Sequence, residues 1–218
     1  MQVPVPPMLA DLVATSFSAL DGAEFSDLTR CPECGGVVRG HDMKKRRFAV
    51  IKTARGRSEI TIWVRRYYCT HCGALCSAPA PFYPDTRVGA PIVDLCRVLA
   101  GEYSFNQASK ILAAMGIVLD RGSVRNYAAL DIGTVPSIEL WGLCLPGSLL
   151  SIISLTIGRS QSTPVPGAEV LAACGLPATD RTPLHPHRPP PEIGEERDEK
   201  EEKEEREPQE IADHRDQE

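Results

Sequence analysis

Two cysteine pairs of the same form are suited to binding one metal ion. Cys31 and Cys34 form the first Cys-x-x-Cys pair, Cys69 and Cys72 form the second, and a glycine follows each pair. A Cys-x-x-Cys turn presents two thiolates to one ion, and two such turns supply the four soft ligands of a tetrahedral zinc site. The glycines allow the sharp turns that direct backbone N–H groups at the sulfurs. The sequence therefore predicts one structural Zn²⁺ bound by these four cysteines.

The same spacing is compatible with an iron site or with two disulfides. The first basic residue is Arg30, so no basic segment precedes an apolar one as in a secretory signal. We therefore expect a cytoplasmic protein, in which paired cysteines bind metal more often than they form disulfides. The other four cysteines are interpreted mainly as small buried apolar side chains, although Cys76, four residues after Cys72, is an alternative ligand. His41 and His71 are interpreted as surface residues.

Charge is unevenly distributed along the chain. The 218 residues carry a formal net charge of −5, yet residues 39–66 contain ten Lys or Arg against two acidic residues. Residues 192–218 contain fourteen acidic and five basic residues. A basic region beside an acidic segment indicates an anionic partner. We expect residues 186–218 to form a disordered, proline-rich and acidic tail, because they have no apolar face to bury.

A β-hairpin is predicted between the two cysteine pairs. Residues 48–53 and 59–68 have the composition of strands, and residues 54–57 form the turn. Apolar and polar side chains alternate along the second strand, which is typical of a half-buried strand. This strand leads directly into Cys69, as required in a zinc ribbon, which we assign to residues 30–78. Residues 1–29 form an N-terminal arm with a short amphipathic helix near residues 8–20.

Three helices are predicted in residues 85–131, after a proline-rich linker. The first covers residues 91–100, the second begins after the capping residue Ser104, and the third begins after Asp120 or Ser123. Two helices joined by a short glycine-containing turn are typical of a helix-turn-helix motif. The alternative is an ordinary three-helix bundle without DNA contacts.

Residues 132–185 are predicted to be an apolar helical remnant. Residues 140–158 carry no charge and approach membrane-spanning length, but Pro146 and Gly147 interrupt them. We therefore expect no membrane partner, but a buried helix after Pro146 or an oligomer contact. A further short helix is expected around residues 168–174.

Double-stranded DNA is the anionic partner that these elements suggest. Basic side chains of the hairpin contact phosphates, and polar side chains at the start of the third helix contact phosphates or base edges. The predicted hairpin contacts are Lys44, Lys45, Arg46, Arg47, Arg55, Arg57, Arg65 and Arg66. The predicted helix contacts are Arg121, Ser123, Arg125 and Asn126.

The order of these motifs resembles the N-terminal region of zinc-ribbon insertion-sequence transposases. The resemblance covers residues 30–130 and includes Arg-Arg-Tyr-Tyr-Cys-x-x-Cys-Gly at residues 65–73. It implies metal binding by the four paired cysteines, DNA recognition by the helices, and itself or a larger transposase as a protein partner. In that family a ribonuclease-H-like domain follows, in which three carboxylates hold two divalent ions. About sixty residues remain here before the acidic tail, too few for such a domain. The resemblance therefore implies a truncated or standalone relative without the strand-transfer domain.

The expected fold class is α+β, with a small zinc ribbon followed by an all-α helix-turn-helix domain and a disordered acidic tail. The chain contains no Gly-rich phosphate loop, GxSxG or HExxH motif, and we expect it not to be an enzyme. Zinc-dependent DNA binding is the predicted function. The alternatives are a zinc-ribbon transcription regulator, or a protein-interaction adaptor that uses residues 140–158 and the acidic tail.

Overall fold

The computed structural model describes residues 5–53, 56–159 and 164–177. All of them lie within one unit, Met1–Leu184, while Arg55 and the predicted tail at residues 186–218 lie outside the described residues. The helices are α1 (Pro7–Ser18), α2 (Ala90–Glu102), α3 (Phe105–Ala114), α4 (Arg121–Ala128), α5 (Gly147–Thr156) and α6 (Gly167–Ala173). The strands are β1 (Glu24–Phe25), β2 (Val38–Thr53), β3 (Gly56–Cys69), β4 (Leu75–Ser77), β5 (Ser137–Leu140) and β6 (Leu143–Pro146). The expected α+β class is confirmed.

The long β2–β3 hairpin confirms the predicted hairpin and extends it. The two strands pair antiparallel from Thr53 opposite Gly56 to Val38 opposite Cys69. Strand β2 therefore begins ten residues before the predicted start at Phe48, because its polar first half pairs with β3 without the alternation that marks a strand. The register shifts between Gly40 and Asp42 and between Arg47 and Ala49.

Strand β3 is the centre of the larger sheet. Strand β1 pairs parallel to it, β2 pairs antiparallel to it, and β4 pairs with its last residues. Because Val38 lies opposite Cys69, the two cysteine pairs meet at the same end of the hairpin. The sheet therefore brings together residues that are far apart in sequence.

Helices α2, α3 and α4 confirm the three helices predicted in residues 85–131. Ser104 and Gln107 form a reciprocal capping box at the start of α3, and the Asp120 carboxylate caps α4 by accepting from the Ser123 N–H. The turn between α3 and α4 requires Gly116, whose φ is +82°. These local signals explain why the helices are recognisable from sequence.

The α3–α4 turn is joined to the hairpin by backbone hydrogen bonds. The Lys52 N–H donates to the Gly116 carbonyl at 2.7 Å, and the Val118 N–H donates to the Val50 carbonyl at 2.8 Å. Ile117 in this turn is buried and pairs with Ile51 of β2. The hairpin and the helices thus contribute to one apolar core.

The sequence predicts a helical remnant over residues 132–185, whereas the structure places a hairpin in its first part. Strands β5 and β6 are joined by Trp141 and Gly142, with φ values of +54° and +74°. Apolar residues on both faces of β6 conceal the period-two pattern by which a hairpin is recognised in a sequence. The prediction of helix is therefore wrong for the first part of residues 132–185, where β5 and β6 lie.

Helices α5 and α6 confirm the helices predicted after Pro146 and around residues 168–174. Leu149 and Ile152 of α5 are buried in the shared core. Within the described ranges, no helix combines the length and apolar character needed to cross a membrane.

Candidate metal centre and basic hairpin face

Cys31, Cys34, Cys69 and Cys72 form the four-thiol cluster, close enough together to bind one metal ion. Their Sγ atoms all lie within 4.8 Å of one another. The Sγ atoms of Cys31 and Cys72 are 3.7 Å apart, and those of Cys34 and Cys69 are 3.5 Å apart. Zn–S bonds of about 2.3 Å in a tetrahedron require sulfur separations of about 3.8 Å. The cluster therefore fits a tetrahedral ion with little rearrangement.

The two cysteine pairs have matching backbone turns. The Gly35 N–H donates to the Cys31 carbonyl at 2.8 Å, and the Gly73 N–H donates to the Cys69 carbonyl at 3.1 Å. Both glycines have positive φ, +71° for Gly35 and +72° for Gly73. A side chain at either position is strained, which explains the Cys-x-x-Cys-Gly pattern in physical terms.

Gly36 allows the two turns to approach each other. A Cβ atom at this position would lie 2.8 Å from the His71 Cβ and 3.3 Å from the Cys69 Sγ. The Thr70 N–H and hydroxyl also donate to the Val37 carbonyl, at 3.1 and 3.0 Å. The restriction at Gly36 is not visible in the sequence, because only the second turn, folded against this glycine, creates it.

Backbone N–H donors and neighbouring thiols have opposite effects on the thiol pKa values in the cluster. N–H groups of Cys72 and His71 donate to the Cys69 sulfur and lower its pKa to about 6. At Cys34, the Gly36 N–H lowers the pKa, but desolvation and three neighbouring thiols outweigh it and raise the pKa to about 12. Four adjacent thiolates require a cation to offset their repulsion. A divalent ion would thus displace protons from these sulfurs on binding.

The donor set consists of sulfur alone, which Zn²⁺ and iron both accept. The mutually close group among the described residues contains no histidine, and His71 contributes its backbone N–H to the Cys69 sulfur at 3.4 Å. Cys76, the alternative ligand, lies outside this group of four, although its Sγ is 3.5 Å from that of Cys31.

The solvent-facing side of the β2–β3 hairpin carries the basic hairpin face. Cross-strand partners share a face, so Lys45 opposite Trp63 and Lys52 opposite Arg57 define it. The exposed cations of the basic hairpin face are Lys45, Arg47, Lys52, Arg57 and Arg65. Four of these were predicted DNA contacts, and Lys52 was not. The bulge after Arg47 puts Lys52 on the same face as Arg47, which strict alternation from the sequence does not reveal.

Two of the predicted DNA contacts lie on the opposite side of the hairpin. Lys44 and Arg46 pair with Val64 and Ile62 on the core side and line a groove of about 630 Å³. The Arg46 guanidinium lies 3.7 Å from the centroid of the Phe82 ring and donates to the Thr86 carbonyl at 2.9 Å. Burial lowers its pKa. Arg46 is therefore occupied by contacts within the protein.

Arg66 is also engaged within the protein. Its guanidinium forms a bidentate ion pair with Asp42, and this hydrogen-bonded pair holds the pKa of the Asp42 carboxyl below its usual range. The charge of Arg66 is thus largely neutralised by its neighbour. Arg55, the remaining predicted hairpin contact, lies outside the described residues.

The predicted contacts of α4 divide in a similar way. Arg121, Arg125 and Asn126 are exposed. The Ser123 hydroxyl donates to Asp120 at 2.6 Å, and the Ser123 N–H donates to the same carboxylate at 2.9 Å. Ser123 therefore serves the N-terminal cap of the helix, while the two arginines and the amide remain available to a ligand.

Comparisons of the chain with protein-family models, with curated proteins and with solved structures find no match. The four-thiol cluster and the basic hairpin face are therefore the features that bear on function.

Proposed function

We propose that this chain is a zinc-dependent DNA-binding protein related to insertion-sequence transposases, without their strand-transfer domain and without enzymatic activity. The observation that carries the proposal is the basic hairpin face, whose five exposed cations lie on one side of a hairpin with the four-thiol cluster at its end. Lys and Arg side chains bind DNA by neutralising phosphates. The proposed location is cytoplasmic, where reduced thiols can hold the ion.

One Zn²⁺, bound by Cys31, Cys34, Cys69 and Cys72, would supply folding free energy at the end of the hairpin. Cys31 and Cys34 precede β2, whereas Cys69 ends β3 and Cys72 follows it. Joining these turns fixes the start of β2 against the end of β3. The predicted consequence is that the basic hairpin face keeps its shape only when the four cysteines bind the ion.

Helix α4 adds a second set of donors to the same proposed interface. Arg121, the first residue of the helix, and Arg125 and Asn126, in its second half, are exposed. The hydrogen bonds between β2 and the turn before α4 hold that helix in a defined position relative to the hairpin. In this proposal the hairpin contacts phosphates, and α4 contacts phosphates or base edges of double-stranded DNA.

A protein-interaction adaptor is the second candidate, favoured by one observation. Ile138 and Trp141 of the β5–β6 hairpin are 57% and 50% exposed. Exposed apolar patches often mark protein contacts, and these two side chains are candidates for one. A second copy of this chain or a larger transposase is the proposed partner. Co-purification that depends on Trp141, together with the absence of DNA binding, would favour this candidate.

Fluorescence anisotropy with a labelled random duplex tests the DNA-binding proposal. The full chain, with its metal content measured by elemental analysis, should contain one zinc per chain and bind the duplex. Lys45→Glu should weaken binding, whereas Arg87→Glu, an equal charge change at an exposed position outside the hairpin, should have a much smaller effect. Cys31→Ser and Cys69→Ser should each lower the zinc content and weaken binding. Metal-free native protein, or equal effects of the two charge reversals, would contradict the proposal.

A further inference from the structure

Cys76 is a fifth thiol in contact with the four-thiol cluster. Its Sγ lies 3.5 Å from the Sγ of Cys31, and the two side chains are 6% and 2% exposed. Strand β4 holds it there, because Cys76 pairs with Tyr67 of β3.

Cys31 lies between an exposed cysteine and a buried one. The Cys72 Sγ is 3.7 Å from it, and Cys72 is exposed, whereas Cys76 is buried. Disulfide formation requires the sulfurs to close to about 2.0 Å, a small movement from either contact. The three sulfurs thus connect solvent to the interior of the ribbon through Cys31.

We propose that Cys72, Cys31 and Cys76 form an oxidation site for hydrogen peroxide, and that its end product is a buried Cys31–Cys76 disulfide. This inference rests on the proposed metal centre, because an ion bound to Cys31 and Cys72 competes with their oxidation. It goes beyond that centre by assigning a role to a cysteine outside the group of four mutually close thiols.

The chemistry balances with peroxide as the oxidant. The Cys72 sulfur attacks peroxide and breaks its O–O bond, forming a sulfenic acid and releasing one water. Cys31 then attacks that sulfur, forming a Cys31–Cys72 disulfide and releasing the second water. Cys76 attacks the Cys31 sulfur, and Cys72 leaves with the proton that Cys76 loses. Overall, two thiols and one peroxide give one disulfide and two waters.

The proposed disulfide changes the set of thiols that remains for the ion. With Cys31 oxidised, three thiols of the cluster remain, Cys34, Cys69 and Cys72. A site with three ligands binds zinc less tightly than one with four, because structural sites use all four positions. Burial protects the Cys31–Cys76 bond from small thiol reductants, whereas Cys31–Cys72 stays accessible through Cys72.

Mass spectrometry of the full chain tests the inference. The purified protein is treated with hydrogen peroxide, with and without a zinc chelator, and free thiols are then blocked by alkylation. Trypsin leaves Cys31 and Cys34 on one peptide and Cys69, Cys72 and Cys76 on another, as the positions of Arg30, Arg39, Arg66 and Arg87 require. Cleavage after Glu33 separates Cys31 from Cys34, and fragment ions from the bonds between Cys69, Cys72 and Cys76 identify the second sulfur.

The expected product is a Cys31–Cys76 crosslink, formed faster with the chelator than without it. Cys76→Ser should keep its zinc and form Cys31–Cys72 instead, which glutathione reduces faster than the wild-type crosslink. Cys72→Ser should slow the appearance of Cys31–Cys76, and Cys144→Ser, a half-buried cysteine outside the cluster, should leave it unchanged.

Three results would overturn the inference. The first is an oxidised wild-type protein without the Cys31–Cys76 crosslink. The second is loss of zinc from unoxidised Cys76→Ser, which would make Cys76 a ligand. The third is unchanged oxidation of Cys72→Ser, which would remove Cys72 from the sequence of steps. If the wild-type protein contains one zinc per chain, any of these results leaves the proposed function intact. Wild-type protein purified without metal would contradict the proposed function itself.

Discussion

The salt dependence of the proposed DNA binding should distinguish the exposed cations of the basic hairpin face from cations engaged within the protein. The perturbation is Lys45→Gln on the basic hairpin face, compared with Arg66→Gln, whose side chain pairs with Asp42. Both substitutions remove one positive charge from the hairpin. The structure predicts that only the first removes a phosphate contact.

The magnitude follows from the five exposed cations of the basic hairpin face. Five phosphate contacts give a slope of log affinity against log salt of about −4.5, at about −0.9 per contact. Between 50 and 200 mM salt, wild-type affinity should then fall about 500-fold. Lys45→Gln leaves four contacts, so its slope should be about −3.6 and its loss about 150-fold. Contacts from Arg121 and Arg125 would steepen both slopes to the same extent.

The assay is fluorescence anisotropy of a labelled duplex, titrated with the full chain at four salt concentrations. Arg66→Gln should keep the wild-type slope, because its guanidinium already neutralises a carboxylate. Thermal melts of each variant establish that the fold is retained. Equal slope changes in the two variants would refute the assignment of faces, and a flat wild-type response would refute phosphate contact altogether.

Two further substitutions test the packing beneath these sites. Gly36→Ala should cost about 1–3 kcal/mol of unfolding free energy and lower zinc affinity, because its Cβ would lie 2.8 Å from the His71 Cβ. The control is Gly101→Ala, whose Cβ would meet no atom within 4 Å. Equal melting temperatures of the two variants would contradict the prediction. Asp94 is 3% exposed, and burial raises its pKa although Ser148 and Tyr83 donate to it. The pKa of Asp94 is higher in the folded state than in the unfolded state, so protonation of its carboxyl stabilises the fold. This stabilisation is complete below the unfolded-state pKa and is lost as pH rises through the folded-state pKa. The melting temperature of wild type relative to Asp94→Asn should therefore fall from pH 4 to pH 7, and parallel melting curves across this range would contradict it.

The local elements of this protein are largely predictable because their signals lie within a few residues. Ser104 and Asp120 cap the helices that follow them, and both caps are formed. The alternation from Ile60 to Val64 predicts a strand with one buried face, and Ile60, Ile62 and Val64 are buried whereas Trp63 is exposed. The β5–β6 hairpin was missed, because its turn uses Trp141 in a backbone conformation that few non-glycine residues adopt.

The sequence predicts the four cysteines of the candidate site, but it predicts only some of the cations that lie on the basic hairpin face. Arg47 and Lys52 share the basic hairpin face because a bulge shifts the register between them. Arg46 differs from Arg47 because Phe82 and the Thr86 carbonyl, about forty residues away, cover it. No pattern in residues 44–47 distinguishes these side chains.

The amino-acid sequence by itself determined the two cysteine turns, since each depends on a glycine next to its own thiols. Only the tertiary structure decided which sulfurs are neighbours, because strand register sets the distance between Cys31 and both Cys72 and Cys76. It also decided which cations face solvent, since a side chain's charge is encoded locally but its exposure depends on everything packed against it.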